Sequence, residues 1–538
     1  MLHSAQSGER VVLRGGILVD GTGAPRRAAD VELDGDRISR ILEPGAPSDA
    51  ADDDVSGAIV APGFIDMHAH SDLAVLADPA HAAKLEQGVT LEVLAQDGLG
   101  YAPVDDRGMR TMRERLAAFN GSPDLDFTWR SVADYLARID RGAPLNVAVL
   151  VPHGTVRQAV MGDRAAPATP AELAGMRELV DQGMRDGAVG LSAGLSYTPA
   201  AFATDDELVA LLEPVRDHGG FYAPHHRNYG THAMESYASC IAIAEAAGVA
   251  LHLAHCHLNF PVNRGRAPEL LALIDAAIDR GVDVTLDAYP YSRSATSLVS
   301  LLPSAAAVDG PAGVLRRLED PAASEELRRA VEQTGSDGNH GVPADWEAIS
   351  ISSVVAPGNA GAVGMPVAAW ARARGVTAWR AVVELLVADD LATGCVLDVG
   401  DEHNMRAIMR HSAHTVGSDG ILVGAHPHPR EWGTFPRFLG AYARDEGLMT
   451  LEDAVHHLTG RPARRLGLRD RGIVRAGGFA DLVVFDAERV GSPATYEDPR
   501  RRPEGIRQVR VNGVRVVEGG RRNAAIAGRA VRGAESLR

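Results

Sequence analysis

Eight short apolar runs, most of them followed by a helical segment, fill the middle of the chain and limit what it can fold into more than any other feature. They are FIDMHAH (64–70), TLEVLAQDG (90–98), NVAVLVPHG (146–154), AVGLSAGLSY (188–197), GFYAPHH (220–226), VALHLAHCH (249–257), DVTLDAYPY (283–291) and HTVGSDG (414–420). Strands of this kind, alternating with helices, pair in parallel and are covered on both faces. Eight such units predict a closed (β/α)8 barrel of the TIM type, with a doubly wound open sheet as the other arrangement that accepts the count. The intervening helices carry start signals. Thr169-Pro170-Ala171-Glu172 and Thr204-Asp205-Asp206-Glu207 both fit the capping box, in which a hydroxyl and a carboxylate satisfy free amide donors.

Outside this block the periodicity is that of hairpins. VVLRGGILVD and ADVELDGDRISRILEP are broken at Gly15-Gly16, Asp20-Gly21 and Asp34-Gly35, and IRQVRVNGVRVVEGG turns at Asn512-Gly513. Neither flank is long enough for a core of its own, so residues 1–60 and 462–538 are expected to pair as one small β-sandwich domain, leaving 61–461 for the barrel. The seventh and eighth strands are separated by far more chain than a plain loop uses, which predicts an inserted subdomain over about 298–405.

Composition excludes several classes of function. The 54 Lys and Arg against 71 Asp and Glu give a net charge of −17, which lacks the positive field that nucleic-acid or membrane-surface binding needs. There is no run of ~18 apolar residues and no leader-like opening, so neither a membrane span nor a signal peptide is expected. Three cysteines, Cys240, Cys256 and Cys395, are too few and scattered for a disulfide framework, pointing to a reducing, cytoplasmic setting. The chain holds 20 histidines, enough for some to be ligands.

Their positions narrow the choice. His68 and His70 form an H-x-H at the end of the first run, but the same spacing recurs at His255-Cys256-His257 and His426-Pro427-His428, so it is not specific alone. His225 ends the fifth run, His255 lies at the end of the sixth and Asp419 closes the eighth, so all five side chains should gather at the C-terminal mouth of one barrel, where catalytic groups sit. Four imidazoles and a carboxylate suit Zn²⁺ or a similar divalent ion. By alternation His226 and His252 should face away from the ligands, His153 stands at the rim, and Cys256 reads as core.

With these blocks the sequence resembles the amidohydrolase superfamily, in its N-acyl-D-amino-acid deacylase (D-aminoacylase) branch. The likeness runs from GGILVDGTG and APGFIDMHAHSD through GLSAGLSYTP, HHRNYG and DAYPY to VGSDG and HPREWGTFPRFLG. It implies one or two divalent metal ions held by His68, His70, His225, His255 and Asp419, with Asp419 also the general acid/base. It implies Arg430 as the substrate-carboxylate arginine, with Tyr289 and Tyr291 as substrate-binding hydroxyls, Tyr291 the preferred one. The activity implied is hydrolysis of a carbon–nitrogen bond other than a peptide bond, taking a small N-acyl-D-amino acid; a cyclic amide, a dipeptide or another C–N bond is the alternative, and the oligomeric state is open. Two departures stand out. The family's Asn-Cys-Gly after the second strand is Gln96-Asp97-Gly98 here, making Asp97 the candidate bridging ligand. A family His-x-Lys is His255-Cys256-His257, so carboxylate recognition by His257 is expected to depend on pH or to be lost.

Overall fold

The computed structural model describes residues 10–533, so the outermost ends of the expected 1–60 and 462–538 segments lie outside the described residues. All eight apolar runs form parallel strands: β1 Phe64–Asp66, β2 Val89–Leu94, β3 Asn146–Val149 continuing at Val151–Pro152, β4 Gly190–Gly194, β5 Phe221–His225, β6 Ala250–Leu253, β7 Val284–Ala288 and β8 His414–Val416. The first part of β3 pairs with β2 and the second with β4, so the sheet continues through the break at Leu150. It closes between β1 and β8, where the Met67 amide donates to the Val416 carbonyl at 3.2 Å and Ala69 bridges Gly420. Closure decides against the open sheet. Ile65, Met67, Leu91, Val93, Ala148, Leu150, Phe221 and Ala223 fill the interior as one buried cluster, the packed layers such a barrel requires.

The two chain ends build two sheets around a shared apolar core. Arg10–Arg14, Asp30–Asp34, Arg37–Leu42 and Ala51–Asp54 form one. The other joins Ile59–Pro62 to Leu482–Phe485, Ile506–Val511 and Val514–Glu518, and Val11, Leu33, Val60, Leu482 and Val484 lie together between them.

The insertion starts and stops a little inside its expected limits on one side and beyond them on the other. Its antiparallel sheet opens at Ser294–Ser297 and ends at Gly394–Leu397, with a buried cluster of its own running from Leu298 to Leu397. Helix Glu402–Met409, expected inside it, instead packs on β7, β8 and the barrel helix Ala267–Asp279, because its buried Met405, Ile408 and Met409 belong to the main core. Helix Gly460–Arg465 also contacts β1 and β8, and Arg465 pairs with Asp283 just before β7, so the barrel extends past 461. Of the two expected capping boxes, Thr169–Glu172 is complete. At Thr204 only the hydroxyl half forms, because the Glu207 carboxylate is drawn instead to His153 and Arg157.

Candidate metal centre

Each candidate ligand lies at or just past a strand's C-terminal end. His68 and His70 follow β1, Asp97 follows β2, His225 ends β5, His255 follows β6 and Asp419 follows β8. Asp97, His255 and Asp419 have left-handed backbones, with φ of 57°, 28° and 49°. Non-glycine residues there cost of order 1–3 kcal/mol each and persist where the surroundings force them. Close backbone approach is one such constraint. A Cβ on Gly194 would lie 1.9 Å from the Asp97 carbonyl oxygen, so only glycine lets β4 pass beneath it.

The Asp97 carboxylate occupies the centre of the group. Its Oδ1 lies 3.5 Å from His68 Nε2 and 3.3 Å from His255 Nε2, while Oδ2 lies 3.5 Å from both His70 Nε2 and His225 Nδ1. Asp419 Oδ1 approaches His70 Nε2 at 3.3 Å and His68 Nε2 at 3.8 Å. Two sets of donors, His68/His70/Asp97 and Asp97/His225/His255, each lie within 4.8 Å of one another, with Asp97 common to both. All are buried, and His68 Nε2, His70 Nε2 and Asp97 Oδ1 have no hydrogen-bond partner. Buried polar atoms are seldom left unmet, so these residues fit a divalent cation, and the shared carboxylate fits two.

Second partners fix the imidazoles. Tyr229 Oη lies 2.9 Å from His255 Nδ1, and Ser196 Oγ lies 2.6 Å from His225 Nε2. Asp287, fully buried, accepts from the His255 amide at 3.0 Å and has Oδ2 3.6 Å from His68 Nδ1. Such outer contacts set the tautomer and aim of a ligating histidine. Burial would raise the Asp97 pKa, but His255, His68 and His225 around it hold the carboxyl well below the usual range. Burial acts the same way on Asp419, and is outweighed first by Arg430, whose Nη1 lies 2.9 Å from Oδ2. Both carboxylates are therefore ionised at neutral pH. Burial lowers the pKa of His225, which favours the neutral form a metal needs.

The Amidohydrolase family profile matches residues 54–517. The chain belongs to the amidohydrolase family. D-aminoacylase of Alcaligenes xylosoxydans xylosoxydans is 37% identical over 521 residues, covering 94% of both chains. N-acyl-D-glutamate deacylase of the same organism is 35% identical over 508 residues, covering 94% of this chain and 93% of the relative. Among solved structures, a D-aminoacylase superposes with a TM-score of 0.81 at 34% identity, covering 97% of this chain and 99% of the other. N-acyl-D-glutamate deacylase from Bordetella bronchiseptica, complexed with zinc and a phosphonate mimic of the tetrahedral intermediate, gives 0.83 at 33%, covering 98% and 100%. The expected family and barrel are thus borne out, and the relatives place the chain in the D-aminoacylase branch.

In this amidohydrolase the substrate-side residues are arranged differently from expectation. A cavity of ≈ 80 Å³ over the centre is lined by His70, Asp97, Asp419 and Tyr289, and by His340 and Leu397 from the insertion. Tyr291, the preferred hydroxyl, is not among its lining residues. Its hydroxyl donates to the Pro429 carbonyl at 3.4 Å and its ring packs against His428 and Tyr496, and it is the equally buried Tyr289 that lines the cavity. His257 does not line the cavity either. Its ring lies 4.2 Å from that of Tyr289, and burial followed by the nearby His255 pushes its pKa down to about 3, leaving it neutral. It therefore has no charge to offer a carboxylate near neutral pH. Arg430 does not line the cavity either: it is fully buried behind Tyr289 with its guanidinium 4.5 Å from the ring centre, its Nη1 paired with Asp419 and its Nε without an acceptor.

Alternation misjudged one histidine. β6 ends at Leu253, so His252 points into the barrel, bonded to Thr285 and Asp287, and the turn after the strand carries His255 inward. His226 stacks on Tyr229 and Tyr237, His153 pairs with Glu207, and Cys256 is fully buried. Asp287, Tyr229 and His340 were not singled out by sequence. Asp287 and Tyr229 stand inside the DAYPY and HHRNYG blocks, which was the available signal, whereas His340 had none.

Proposed function

We propose that the protein is a metal-dependent deacylase that hydrolyses N-acyl-D-amino acids to a carboxylic acid and a free D-amino acid. The observation that carries this reading is the Asp97 carboxylate set among four histidines, with the Asp419–Arg430 pair beside it. His68, His70, Asp97, His225, His255 and Asp419 would hold one or two divalent ions, Zn²⁺ being the best match to nitrogen and oxygen donors. A divalent ion held there would supply Lewis-acid polarisation of the scissile carbonyl and would lower the pKa of water toward 7. Asp419, ionised at neutral pH, accepts the proton of the attacking water on a carboxylate oxygen and returns it to the departing amine nitrogen, so the same residue serves as base and then acid. Asp287, Tyr229 and Ser196 keep the imidazoles aimed while this happens. Arg430, with its Nε unmet and its Nη1 held by Asp419, would take the substrate carboxylate, and that contact would replace part of its pairing with Asp419. Three buried free cysteines support a cytoplasmic setting, and no helix among the described residues is long and apolar enough to cross a membrane.

The test is Asp419→Asn in protein that retains its fold and metal. We expect kcat to fall by about 10²–10⁴. Full activity would remove Asp419 from its assigned role, and turnover of lactams or L-enantiomers in place of N-acyl-D-amino acids would redirect the substrate reading.

A further inference from the structure

A second cavity, ≈ 360 Å³, opens off the first and is far larger than the reacting groups need. The two share Asp97, Phe119, Ser196, Tyr197 and Ser300, but Asp419, Tyr289 and His255 line only the smaller one. One wall of the larger cavity comes from the segment after β2, through Met112, Leu116 and Phe119. The facing wall comes from the insertion, through Val299, Leu302 and Val314. Arg115 also lines it, but its guanidinium is tied to Asp163 and to the Thr198 carbonyl, so it offers no free charge. The remaining carboxylates, Glu114 and Asp390, are solvent-exposed and stand at the rim.

On the deacylase reading, the carboxylate and side chain of the amino acid lie on the amine side of the scissile bond, toward Tyr289 and Arg430. The acyl group leaves the carbonyl on the other side, toward Asp97 and Tyr197, where the larger cavity begins. Its volume holds on the order of ten methylene-sized groups, taking each as close to the ≈ 30 Å³ share of a water. We propose that this cavity is an acyl-chain subsite, and that the substrates are amino acids N-acylated by unbranched apolar chains of about six to twelve carbons. The acidic rim disfavours a chain that ends in a carboxylate.

The inference rests on the deacylase reading and is tested with one substrate series on the metal-loaded enzyme: N-acetyl, N-hexanoyl, N-decanoyl and N-(9-carboxynonanoyl) derivatives of one D-amino acid. We expect kcat/KM to rise about fourfold per added methylene until the cavity is full, as burial of apolar surface dictates, and to drop for the carboxylate-ended chain. Val299→Trp, with Ala307→Leu as the milder variant should the first misfold, should collapse the decanoyl-to-acetyl ratio. Equal turnover of acetyl and decanoyl substrates, or a preference that follows the amino-acid side chain instead, would overturn the subsite and leave the deacylase reading standing. Calorimetric binding of decanoate against acetate reads the cavity without turnover. If no N-acyl substrate is cleaved, the deacylase reading fails, while decanoate binding weakened by the cavity variants still supports an apolar-chain site and absence of binding rejects it.

Discussion

Two buried clusters of carboxylate and histidine lie close together in this barrel and behave in opposite ways. In the first, Lys84 Nζ lies 2.7 Å from Asp66 and 3.2 Å from Glu92, while His81 meets the other Glu92 oxygen at 2.7 Å. Ser418 and Ser71 donate the remaining hydrogen bonds, so each oxygen of both carboxylates has a partner. In the second, Asp97 is surrounded by imidazole nitrogens at 3.3–3.5 Å, too long and too poorly aligned for most of them to bond, and donors on both sides are unmet. In the first cluster both carboxylates are fully met and His81 Nδ1 is left over at the edge, whereas in the second the carboxylate and the imidazoles around it are completed only by something added. Burial and charge are alike in the two, so neither identifies a functional site by itself. What sets the second apart is that several unmet atoms converge on one point.

The comparison breaks first, if it is wrong, at Asp97. Asp97→Ala should lower Zn²⁺ content and reduce activity by at least about a hundredfold, the upper range for changes even one shell further out. Unfolding of the metal-free protein should shift by less than it does in Lys84→Met, since the carboxylate has few made bonds to lose. A large loss of apo stability would mean that the two clusters are of one kind. Lys84→Met should do the reverse, costing about 3–5 kcal/mol by urea denaturation because it strands two buried carboxylates, while bound metal per folded protein stays unchanged. Acid sharpens the contrast. Burial would raise the pKa of Glu92, but His81 and Lys84 outweigh it and hold it at about 2, below the ordinary 4.5. The depressed value contributes stability that is present above pH 4.5 and fades as pH falls from there toward 2, about 3 kcal/mol in all. Glu92→Gln should flatten that part of the stability curve, measured on metal-free protein.

Much of this was legible in the sequence because the barrel repeats itself. Buried parallel strands announce themselves as apolar runs, and a ligand at a strand end needs only the end to be located. His68, His70, His225 and Asp419 were picked out as candidate ligands this way, and Asp97 through its place in the family block. What failed was the assumption that alternation continues past the last paired residue. At β6 the ladder stops at Leu253, so His252 keeps the inward side the ladder gives it, and the irregular backbone after it, with a positive φ at His255, brings His255 to the same side against alternation. Tyr289 and Tyr291 share one parity, so alternation could not rank them; the Pro429 carbonyl, distant in sequence, captures Tyr291. Contributions from the insertion, His340 above all, depend on where a separately packed unit comes to rest on the barrel, and no local pattern encodes that.

The insertion's closed apolar cluster, from Leu298 to Leu397, has an evolutionary consequence. It lends walls to both cavities yet contributes none of the six candidate ligands. The shape of what is admitted can therefore be reworked in a module that joins the barrel at only two points in the chain, while the candidate ligands all stand at strand ends of the barrel. Diet and chemistry are inherited on different parts of the molecule, and relatives within one family can diverge in the first without risking the second.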